Sequence, residues 1–184
     1  MNSLLRKAVT GTAVLVLASA STAVAQVGLL SNAGTVALTA TKSPTLTVTP
    51  NVPTATLANI TDNSTVNNFT PVSLTTSWNL TAGTSVRLIG WFATPAQALV
   101  NGTDFIPSSK VEGRVGAAAY SPFTGAALGA VGVAGGSLQL FSQGLAGSFF
   151  GSRTDQLDLR LNLTGTTTLA GDYLGTLNLQ AIVQ

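Results

Sequence analysis

The amino-acid sequence predicts an all-β fold, an antiparallel β-sandwich of about seven to nine strands. Three observations predict it. Apolar residues alternate with hydroxyl and amide residues along several short runs, which is the period of a strand with one buried face. Glycine- and asparagine-bearing turns separate those runs. Charged residues are only 8% of the 184, about a third of the usual share and too few to coat solvent-facing helices.

Taken in order, Thr35–Thr41 reads T-V-A-L-T-A-T, with Val36, Leu38 and Ala40 on one side. Thr45–Thr49 repeats the pattern. Val72, Leu74, Thr76, Trp78 and Leu80 alternate with Ser73, Thr75, Ser77 and Asn79. The run Val86–Phe92 is apolar on both faces, so it belongs at the centre of a sheet or under cover on both sides. Ala96–Val100 reads as one helical turn or a short strand, and Ser137–Phe141 as a short strand. Leu157, Leu159, Leu161 and Leu163 alternate with Asp158, Arg160 and Asn162, the cleanest amphipathic strand in the chain. Leu177–Val183 is the last run. Turns fall at Thr81-Ala82-Gly83, at Asn101-Gly102-Thr103-Asp104 and at Ala170-Gly171-Asp172. Residues 113–136 differ from all of this: they are a Gly/Ala-rich stretch, expected as a long loop or a loosely paired hairpin.

The first 25 residues read as a secretory signal peptide. Arg6 and Lys7 open it, an uncharged stretch over 8–20 follows, and Ala23-Val24-Ala25 ends it with small residues. The apolar stretch is shorter than the roughly 20 residues of a membrane span. Cleavage after Ala25 leaves residues 26–184 as one sandwich domain. Two of the eight basic residues leave with the leader and none of the six acidic ones, so the formal charge falls from +2 to zero. The basic character of the whole chain is therefore no nucleic-acid footprint. A neutral surface rich in Thr, Ser and Asn favours association, because little charge repulsion opposes contact. The expected location is the periplasm, the cell surface or outside the cell, with no membrane span once the leader is gone.

Chemistry-bearing residues are scarce. The chain has no His and no Cys, which removes the commonest general base, the commonest metal ligands and any disulfide. Lys42 and Lys110 sit in no nucleophile motif. The acidic residues are Asp62, Asp104, Glu112, Asp155, Asp158 and Asp172. Asp155 and Asp158 are three apart, so an extended strand points them to opposite faces. All six read as turn, solubility or strand-pairing residues. The expectation is a non-enzyme with no catalytic, cofactor-binding or metal-binding residues and no cofactor. Six Asn-x-Thr triplets, at Asn59, Asn63, Asn68, Asn79, Asn101 and Asn162, fit the glycosylation pattern and follow from the composition. Trp78 and Trp91 flank one turn and are expected in the core, with an exposed sugar-binding platform as the alternative. Tyr173 is expected to mark the entry to the last strand, its ring over the sandwich edge.

The final 28 residues, Leu157–Gln184, carry the run Ala170-Gly171-Asp172-Tyr173-Leu174-Gly175-Thr176-Leu177 ahead of an alternating strand. This ending resembles exported bacterial β-sandwich proteins of the spore-coat-protein-U and fimbrial-subunit type. The resemblance implies an immunoglobulin-like sandwich. Gly171, fourteen residues from the end, matches a glycine common in chaperone–usher pilins, while Val183 stands where those carry an aromatic, and their cysteine pair is missing. The expected function is an exported structural or cell-surface protein, as a self-associating coat or fimbria-like subunit. Its partner would be a like subunit, joined by strand addition. Two alternatives stand beside this: a module binding carbohydrate or another surface ligand, and an outer-membrane β-barrel. No nucleic-acid partner is expected.

Overall fold

A computed structural model describes residues 37–184, and eleven strands run through them. The expected leader and the first residues of the Thr35–Thr41 run lie outside the described residues. The strands are β1 (Thr45–Pro50), β2 (Asn67–Asn68), β3 (Val72–Asn79), β4 (Ser85–Trp91), β5 (Leu99–Asn101), β6 (Asp104–Ile106), β7 (Val111–Val115), β8 (Ser121–Pro122), β9 (Ser137–Gly144), β10 (Phe150–Leu161) and β11 (Asn178–Val183). Every pairing is antiparallel. The larger sheet has the order β1-β3-β10-β7-β8, with β2 also on β10. The smaller one is β11-β4-β9, and β5 with β6 makes a separate hairpin. No sheet closes on itself, so the described strands form an all-β sandwich and no barrel.

Register assigns the faces, because directly paired residues lie on the same side. Val72 pairs Leu157, and Leu159 pairs Gly113, which places the leucine side of β10 and the Val72–Trp78 side of β3 inward. On the smaller sheet, Val86, Leu88 and Gly90 face in beside Val183, Ala181 and Leu179. Strand β4 is the centre of its sheet, and Ile89 on its other face is also buried, as a strand apolar on both sides requires.

Phe123 fills the middle of the core, fully buried. A Cβ on Gly90 of β4 or on Gly113 of β7 would lie 3.0 Å from its ring, so two glycines on facing sheets leave the slot that the ring occupies. Phe92 meets the same ring edge-on at 5.3 Å. The Gly/Ala-rich segment is therefore no free loop. It opens within β7, pairs through β8 and delivers Phe123 and Val131 to the interior.

Residues 37–44 carry no strand, although the Thr35–Thr41 alternation suits one. The leucine strand begins seven residues early, at Phe150, and ends at Leu161. Its first half escaped notice because its inward positions are Gly151, Arg153 and Asp155 rather than apolar residues. Strand β9 runs on to Gly144. Ala96–Val100 is both things at once: a 3-10 turn over Pro95–Gln97, then β5. The count of eleven exceeds seven to nine because β2, β5, β6 and β8 are two or three residues long, too short to show a period.

Candidate functional site

Five of the six acidic residues are spoken for by structure. Glu112 accepts from Arg160 at 2.6 Å and from Asn162 at 2.9 Å. Asp158 meets Arg114 at 3.0 Å. Both pairs lie on the outer face of the larger sheet, and the ring of Tyr120 lies over both guanidinium groups, at 4.4 and 4.1 Å. Asp155 points the other way, as the three-residue spacing requires. It holds Arg153 by two bonds of 2.6 Å, and Arg153 lies 4.0 Å over the ring of Phe141 on the smaller sheet, so this pair ties the two sheets together. Asp62 accepts from the backbone and hydroxyl of Thr168. Lys110 donates to the Thr164 carbonyl. Asp172 is exposed, and Lys42 is exposed ahead of β1. Among the described residues no three His, Cys, Asp or Glu side chains gather as a metal site would need. No helix among them is long and apolar enough to cross a membrane.

The tryptophans do not make a shared platform. Trp78 lies half-buried on the inner face of β3, against the core and over Gly151. Trp91 lies on the outer face of the smaller sheet, half-buried, in register with Asn178 and Ser137.

The feature that is left is an open seam in the sandwich. One wall is the segment after β1, from Val52 to Ile60; the other is the segment leading into β11, from Leu169 to Leu177. Neither segment is a strand. Two hollows of about 620 and 500 Å³ lie between these walls and share Phe69, Leu99, Tyr173 and Leu174 in their linings. The floor is core: Val72, Phe92, Leu157 and Leu159 come to its surface. The lips carry exposed apolar side chains, with Leu169 61% and Leu174 75% exposed. At one end the Asp62–Thr168 bonds join the two walls and close the seam.

The walls also leave backbone groups open. Among the described residues the N–H groups of Val52, Thr54 and Ala55 on one wall have no hydrogen-bond partner, and neither do those of Gly175, Thr176 and Leu177 on the other. A floor of core side chains thus lies between two stretches of backbone that carry free N–H groups. Sequence reasoning missed this site, because its residues come from widely separated stretches of chain. The signal that was present is the C-terminal run around Gly171 and Tyr173, which forms one wall.

Tyr173 sits where the sequence placed it, at the entry to the last strand and against the core. Its hydroxyl donates to the Asp104 carboxylate, which also accepts the Leu169 N–H at 2.9 Å. These bonds hold Asp104 below its ordinary 3.8, the Leu169 N–H contributing most. Desolvation, and then the Asp104 bond, raise Tyr173 above its ordinary 10.0.

No protein-family model matches the chain, and no curated protein matches its sequence.

Proposed function

We propose that the protein is an exported, non-catalytic structural subunit that associates with its own copies by strand addition at the open seam. The observation that carries this reading is the seam itself: the exposed apolar lips Leu169 and Leu174, beside backbone N–H groups with no partner among the described residues, over a floor of core side chains. Exposed apolar lips are costly to leave in water, and an extended apolar segment would cover them while pairing the free N–H groups. The proposed occupant is the segment Gln26–Thr41 of a neighbouring copy. It is uncharged, as an apolar floor requires, and Val36, Leu38 and Ala40 recur at the spacing that sends alternate side chains into such a groove. At about 3.3 Å per residue its 16 residues reach roughly 50 Å. That is longer than the 12-residue β10, the longest strand in the sandwich.

The leader pattern supports export, and the lack of His and Cys supports a structural role over a catalytic one. The likeness of the last 28 residues to coat and fimbrial subunits points the same way. Residues 37–44 pair into no sheet, which suits a segment destined for another subunit.

Deletion of Gln26–Thr41 tests the reading. Size-exclusion chromatography and thermal melts should show a truncated chain that melts as the full one does and no longer associates. A truncated chain that loses its fold, beside a full chain that stays monomeric at high concentration, would contradict it.

A further inference from the structure

We infer that the β5–β6 hairpin is the positioning element of the seam, with Tyr173 and Asp104 as positioning residues that hold one wall ready for an incoming strand. This rests on the reading of the seam as a strand acceptor. The hairpin belongs to neither large sheet. It is anchored from below by Leu99 and Ile106, both buried. Its turn is tight, with Gly102 at φ 58° between the paired Asn101 and Asp104.

The hairpin grips the 169–175 wall at every level. Val100 and Leu174 exchange two backbone bonds, of 2.8 and 3.0 Å. The Asn101 amide donates to the Ala170 carbonyl at 3.3 Å. Asp104 accepts both the Leu169 N–H and the Tyr173 hydroxyl. Gly171, at φ 142°, lets the wall pass so close that a Cβ there would meet the Asn101 side chain. The wall has no strand pairing of its own, so this grip fixes where its free N–H groups at Gly175, Thr176 and Leu177 stand. An edge held in place accepts a strand without first having to order itself, which raises affinity.

The test compares full-length wild type with Tyr173→Phe, Asp104→Asn and Asn101→Ala. Sedimentation equilibrium reads the association constant, and a melt of the dissociated chain reads stability. The phenylalanine variant keeps the ring against the core and loses only the hydroxyl. Association should weaken about tenfold in the first two variants and by less in the third. Amide exchange of the unassociated chain should quicken at Leu169 and Leu174, whose N–H groups are bonded, while its melting midpoint near neutral pH falls only slightly. The Asn101→Ala variant removes one exposed amide and decides the matter if either of the others fails to fold. Wild-type association at undiminished strength in the variants would overturn the inference and leave the acceptor reading standing. A wild type that does not associate at all would overturn both.

Discussion

The hydroxyl of Tyr173 donates to the carboxylate of Asp104 across 69 residues of chain, joining the entry of the last strand to the β5–β6 hairpin. This bond makes stability depend on pH at both extremes. Asp104 is held low, chiefly by the Leu169 N–H and then by Tyr173. A carboxylate with a depressed folded pKa contributes stability above its ordinary 3.8, and the contribution is lost as pH falls through the lowered value. Tyr173 is raised, so its contribution is whole below its ordinary 10.0 and is lost as pH rises through the raised value. Thermal melts across the acid range should fall more steeply for wild type than for Asp104→Asn. In the alkaline range they should fall more steeply for wild type than for Tyr173→Phe. Parallel curves would contradict the assignment.

The slot around Phe123 predicts a coupled pair of substitutions. A methyl on Gly113 would lie 3.0 and 3.1 Å from the Phe123 ring and 3.3 Å from Leu159. On its other side the ring faces Gly90 across the core, where a Cβ would also lie 3.0 Å away. Gly113→Ala should cost about 1–3 kcal/mol by overpacking. Phe123→Leu should relieve part of that cost, so the double variant should be more stable than the two single effects add up to. Urea unfolding of the four proteins measures the coupling, and strict additivity would contradict the packing account.

Thr76 offers the opposite case. Its side chain is fully buried on the inner face of β3, and its hydroxyl has no partner among the described residues. A hydroxyl buried without a bond costs more than it returns. Thr76→Val keeps the shape and removes the stranded group, so it should be neutral or stabilise by about 1 kcal/mol. A clear loss of stability in the same unfolding experiment would show that the hydroxyl is satisfied.

Much of the fold was legible because a half-buried strand writes its faces into alternate residues. Strands β3, β4 and β11 and the leucine half of β10 were read within a residue or two. The first half of β10 was not, since Arg153 and Asp155 satisfy one another on the inner face and break the apolar pattern. The Gly/Ala-rich stretch, expected as a long loop or a loosely paired hairpin, pairs through β7 and β8, but its place in the core was hidden for a related reason. Gly113 is there to clear space for a ring, and glycine in a strand looks like a loop when its neighbour across the core is unseen. Thr35–Thr41 shows the converse limit, because alternation tells what a strand would bury and not whose edge it pairs with. The seam was illegible as a site. Its walls and floor include 52–60, 69–72, 92–99, 157–161 and 169–179, and no local period reports that those stretches meet.

The central claim is that the seam takes up a strand when copies associate, and amide hydrogen exchange at Gly175, Thr176 and Leu177 tests it most directly. Those N–H groups have no partner among the described residues, so they should exchange fast in the dissociated chain. As concentration drives association, exchange should slow on the order of tenfold or more at alternate positions of the wall the strand pairs with, at Thr176 or else at Gly175 and Leu177, or at the matching N–H groups among Val52, Thr54 and Ala55. Association that proceeds while exchange at both walls stays unchanged would contradict the account.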